Sequence, residues 1–69
     1  MSGVQVTVNG VARALPADAS VADVVAELVS SPAGVAVAVD ARVVPRGDWP
    51  THRLADGASV EILTAMQGG

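Results

Sequence analysis

Asn9-Gly10 limits this chain more than any other pair in it, because a two-residue type I′ turn needs positive φ at both central positions and these residues reach it at least cost. The residues before the pair alternate strictly, Val4, Val6 and Val8 against Gln5 and Thr7, as a strand with one buried face does. Val11 to Leu15 must then return antiparallel as a second strand. Pro16, which has no N–H to donate, ends the pairing. The chain therefore opens on a hairpin.

The period changes after Ser20. Val21, Val24, Val25, Leu28 and Val29 fall at the i, i+3, i+4, i+7 and i+8 positions of an amphipathic helix, with Ala22, Asp23, Ala26 and Glu27 on the other face. Valine is a mediocre helix former, but Ser20 with Asp23 is close to a capping box and marks the start. Ser30-Ser31-Pro32-Ala33-Gly34 closes the helix, since proline cannot continue it and Gly34 permits the turn. A third strand then puts Val35, Val37 and Val39 on one face and Ala36 and Ala38 on the other. Either that strand is buried on both sides, or its alanine face is a contact surface of the kind that uncovered apolar area marks. One short helix covers only one face of a small sheet.

Asp40-Ala41-Arg42 reads as a turn, and Val43-Val44 as a brief strand stopped by Pro45. In the structured loop from Pro45 to Pro50, Trp49, the single aromatic residue, is expected to pack over an edge of the core. His52 has no cysteine or second histidine to join it as a ligand and is expected at the surface. Asp56-Gly57 marks the last turn and Ser59 to Ala65 the last strand. With the helix across one face of a mixed four- to five-stranded sheet, and the last strand placed centrally beside the first, this order satisfies the right-handed crossover rule. It is the α+β arrangement of the β-grasp. The pattern predicts one core holding Val4, Val6, Val8, Val24, Val25, Leu28, Val35, Val37 and Ile62. Ala36, Ala38, Leu63 and Ala65 have the opposite parity and no charge, which makes them the expected partner surface.

Sixty-nine residues read as one domain, near the smallest size at which a core sustains folding without staples. The absence of cysteine excludes disulfides and thiolate metal sites, and without Phe or Tyr the core is aliphatic. Four arginines against seven acidic residues give a net charge of −3 with no basic cluster, which argues against nucleic acid. The longest apolar run, residues 33–39, is too short to cross a bilayer, and the N-terminus has no signal-type stretch, so the expected location is the cytoplasm. No arrangement supports catalysis by the chain itself: there is no cysteine nucleophile, no serine–histidine–acid set and no Walker-type loop, and the carboxylates are scattered. The chain is expected to bind no cofactor and no metal.

What remains is the end. The last strand runs without a linker into Met66-Gln67-Gly68-Gly69, expected to be a flexible arm on the 1–69 domain. Terminal glycines carry little by themselves. Directly after a strand they make an arm without side chains at its tip, able to enter a narrow channel in a partner. The Gly69 α-carboxylate is stable and must be activated before it forms a new bond. Attack on the α-phosphate of ATP gives a mixed anhydride, from which a sulfur nucleophile displaces AMP to leave a thiocarboxylate. This chain has no means of binding ATP, so an enzyme must use it.

Val37-Ala38-Val39-Asp40, Val43-Val44-Pro45-Arg46-Gly47-Asp48-Trp49, Leu54-Ala55-Asp56-Gly57, and Val60-Glu61-Ile62 running to Gly68-Gly69 resemble the ThiS family of sulfur carrier proteins of thiamin biosynthesis. The resemblance covers nearly the whole chain. Val-Pro-Arg-x-x-Trp is its most discriminating part, since all ubiquitin-like carriers share Gly-Gly. It implies a carrier, not an enzyme, whose Gly69 is adenylated with ATP by a ThiF-like adenylyltransferase. Sulfur would come from a donor protein and go to a ThiG-like thiazole synthase. Asp40 stands where the family often has Asn, and both suit a turn. Met66 is the nearest equivalent of the large apolar residue that the family often carries before the diglycine. The small subunit of molybdopterin synthase is similar in fold, tail and activation, but its members tend to be longer and lack Pro-Arg-x-x-Trp. A modifier joined to lysines through Gly69, and a β-grasp interaction module with an inert tail, are the remaining readings.

Overall fold

The computed structural model of the protein describes residues 3–29 and 34–64. Strands β1 (Gly3–Val8) and β2 (Val11–Pro16) form the first hairpin, and helix α1 (Val21–Leu28) follows. Strands β3 (Val35–Val39) and β4 (Arg42–Val44) form the second hairpin, and a 3₁₀ turn at Arg46–Asp48 leads toward β5 (Ser59–Thr64). The described strands form one sheet in the order β2-β1-β5-β3-β4. The last strand is thus the middle one, parallel to β1 and antiparallel to β3, as the β-grasp reading requires.

Both hairpins turn through two residues of positive φ. Asn9 (52°) and Gly10 (84°) make the first turn, Asp40 (52°) and Ala41 (70°) the second. The second turn therefore has no glycine where the first has one. An alanine in the left-handed region costs about 1–2 kcal/mol, and Asp40 offsets it with bonds to the middle strand. Its N–H donates to the Ser59 carbonyl at 2.7 Å, and its Oδ1 accepts from the Ser59 N–H at 3.0 Å.

The helix starts where the capping residues place it. Ser20 Oγ accepts from the Asp23 N–H at 3.2 Å while an Asp23 carboxylate oxygen accepts from the Ser20 N–H at 2.9 Å, a complete reciprocal capping box. Two further N–H groups of the first turn, which no helical carbonyl can satisfy, donate elsewhere: Val21 to the His52 carbonyl (2.9 Å) and Ala22 to the Trp49 carbonyl (3.1 Å). The loop after β4 is thereby pinned to the helix start. Trp49 is buried, its indole N–H donates to the Val44 carbonyl at 2.9 Å, and the Arg46 guanidinium lies 5.4 Å from the ring centroid. The expectation that Trp49 covers a core edge holds. His52, expected at the surface, is half-buried because its backbone closes the helix start.

Val6, Val8, Val24, Val25, Val37 and Ile62 lie in one buried cluster with Leu15, Val21, Val39, Val44, Trp49, Leu54 and Val60. Val4 and Val35 pack partly buried at its margin. Leu28 does not belong to the core, contrary to the expectation from helical spacing: it is 37% exposed. The helix spans eight residues, and its buried positions are Val21, Val24 and Val25. Leu28 is the last helical residue; the chain turns extended at Val29, which packs against the core in its place.

Candidate functional site

The sequence points to the end of the chain, so the elements that matter are those that hold β5. Along β3 its pairing is continuous, from Val39↔Val60 to Val35↔Thr64. Along β1 the strand register has only two pairs, Thr7↔Ser59 and Val8↔Val60, because β1 turns away at Asn9. Side chains extend that short ladder at both ends. Before it, Asp56 Oδ1 accepts from the Gln5 N–H at 2.7 Å, and the Gly57 N–H donates to the Gln5 carbonyl at 2.7 Å. After it, the Asn9 N–H donates to the Val60 carbonyl at 2.8 Å, Asn9 Oδ1 accepts from the Ile62 N–H at 2.8 Å, and Asn9 Nδ2 donates to the Ile62 carbonyl at 3.2 Å.

The sheet face away from α1 is the other component. Ala36 pairs with Leu63, and Ala38 lies between Glu61 and Val43. Ala36 is exposed and Ala38 half-buried, so the valine strand is covered on one face only. Leu63 and Val43 are exposed to 61% and 77%. Three of the four residues expected to form a partner surface therefore share one open face. Ala65, the fourth, lies outside the described residues, as do Met66, Gln67, Gly68 and Gly69.

Sequence reasoning missed several residues of this arrangement. Asn9, Asp40 and Asp56 were legible only as turn formers, whereas their side chains bond to β5 or to its neighbour β1. Val43 was read as part of a brief strand. Its parity, opposite to buried Val44, was the available sign that it faces outward beside Ala38. Among the described residues, no group of three or more His, Cys, Asp or Glu side chains is placed to hold a metal ion. No helix among them is long and apolar enough to cross a membrane. The geometry offers a middle strand tied on both sides as far as Ile62 and an open apolar face beside it, which suits presentation to a partner.

The comparisons with known proteins agree with this architecture. The family model described as the ThiS family matches residues 6–69. A sulfur carrier protein, ThiS, of Escherichia coli strain K12 is 29% identical over 65 residues, spanning 94% of this chain and 98% of that protein. The crystal structure of a thiamine biosynthesis protein (ThiS) from Geobacter metallireducens superposes with a TM-score of 0.81 at 28% identity, covering 96% of this chain and 100% of that one.

Proposed function

The chain belongs to the ThiS family, and on that premise we propose that it carries sulfur for the thiazole moiety of thiamin on the carboxylate of Gly69. The observation that carries this reading is the reach of the family match, which runs to residue 69 and takes in both terminal glycines. A ThiF-like adenylyltransferase activates the Gly69 carboxylate: an oxygen attacks the α-phosphate of ATP, pyrophosphate leaves, and an acyl adenylate results. Sulfide-level sulfur released by a donor protein attacks the acyl carbon and AMP leaves, giving the thiocarboxylate, which a ThiG-like thiazole synthase consumes. The carrier binds no nucleotide itself. Its part is positional, with Ala36, Ala38, Leu63 and Ala65 meeting the enzyme and Met66 to Gly69 entering its channel.

Position limits such a reaction. A misplacement of about 1 Å can cost about a hundredfold in rate, and one added residue moves the end by up to about 3.5 Å. A chain with one residue added after Gly69, and a Gly68→Val variant that brings a β-branched side chain to the arm, should fold like the wild type. Both should lose ATP–pyrophosphate exchange with the activating enzyme. Near-normal exchange by the extended chain would show that Gly69 is not the activated residue. Intact-mass analysis after incubation with ATP, the activating enzyme and a sulfur source should show oxygen replaced by sulfur at the C-terminus.

A further inference from the structure

We propose that Asn9 is a positioning residue for the reactive end, a role that rests on the carrier reading above. In a parallel ladder, a residue donates its N–H to one residue of the neighbouring strand and accepts at its carbonyl from the residue two further on. Asn9 keeps the first bond with its backbone, to the Val60 carbonyl, but its carbonyl is turned away by the left-handed turn (φ 52°). Its Oδ1 accepts from Ile62 instead, at 2.8 Å, and its Nδ2 supplies at 3.2 Å the bond to the Ile62 carbonyl that a continued β1 would have donated. The carboxamide thus stands in for one peptide unit of the missing strand. On the β1 side it is the last tie on β5 among the described residues, and Leu63 and Thr64 beyond it pair only with β3. Asn9 therefore fixes the direction of β5 at Ile62, and with it the course of the strand toward its C-terminal end. Few side chains suit this post, since it needs a donor and an acceptor on one short planar group together with tolerance of positive φ.

A positioning role separates from a stabilising one in the kinetics of the activating enzyme with this chain as substrate. Asn9→Gly keeps the turn conformation and removes both side-chain bonds. Asn9→Asp keeps the acceptor for the Ile62 N–H but sets a carboxylate oxygen against the Ile62 carbonyl, and it serves if the glycine variant does not fold. Asp56→Ala is the control, because it removes a side-chain bond at the other end of the same ladder, far from the exit. A merely destabilised carrier acts as a lower concentration of folded substrate, which raises apparent KM and leaves kcat alone. Asn9→Gly and Asn9→Asp should instead lower kcat for ATP–pyrophosphate exchange about tenfold, with KM within about twofold of the wild type, while Asp56→Ala keeps its kcat. Unchanged kcat in both Asn9 variants, or an equal fall in Asp56→Ala, would overturn the proposal while the wild type still exchanges. No exchange by the wild type would overturn the carrier reading, and the proposal with it.

Discussion

Replacing Ala41 by glycine should stabilise the protein, although Ala41 touches nothing that glycine would improve. Ala41 holds φ 70° at the second position of a two-residue turn, where the first hairpin has Gly10 at 84°. The left-handed conformation costs an L-residue about 1–2 kcal/mol. Glycine removes that cost but loses about 0.5–1 kcal/mol of chain entropy relative to alanine. The net gain is about 0.5–1 kcal/mol, or about 2–8 °C in melting midpoint for a domain of this size. No packing opposes it, because Ala41 is exposed and the Asp40 bonds to Ser59 do not involve its methyl. Gly10→Ala is the reciprocal test: a Cβ there meets no atom within 4 Å, so any loss comes from backbone conformation alone. It should cost about what Ala41→Gly gains. Thermal and denaturant unfolding followed by far-ultraviolet circular dichroism measure both. If Ala41→Gly were neutral or destabilising, conformational strain would not be what distinguishes the two turns.

The helix gives a second contrast, since Val24 is 1% exposed and Leu28 37%. Val24→Ala should cost about 1.5–3 kcal/mol and Leu28→Ala about 1 kcal/mol, so denaturant midpoints ordered the other way would place Leu28 in the core after all. Trp49→Phe removes the donor to a buried Val44 carbonyl and should cost about 1–3 kcal/mol, read by circular dichroism because the variant has no tryptophan left; an unmoved midpoint would mean that the carbonyl finds another partner. Leu63→Glu should leave stability within about 0.5 kcal/mol of the wild type, as surface changes usually do, and weaken binding to the activating enzyme in calorimetric titration. Unfolding of that variant would contradict the open face.

The arrangement of strands was legible because local signals agreed: strict alternation before Asn9-Gly10, helical spacing after Ser20, and a second alternation from Val35. Each depends on neighbours in sequence. Leu28 was misread because spacing gives a direction around the helix axis but not where the helix ends, and the extended turn at Val29 decides that. Asn9, Asp40 and Asp56 show the same limit from the polar side. A turn residue announces its backbone angles, but what its side chain reaches depends on a strand residue 19 to 53 positions away, which no local pattern encodes. The open face was legible through parity, because a strand's period of two assigns every residue to a side once one side is known to be buried.

Among the described strands the middle one is the most C-terminal, so the sheet cannot close until Ser59 to Thr64 are in place. A chain broken off before Ser59 leaves the two hairpins with no common neighbour, and an isolated hairpin is at best marginally stable in water. Such a fragment has no sheet to present and is left for proteolysis. The open face that joins Ala36 and Ala38 to Leu63 therefore forms only in a chain that carries β5.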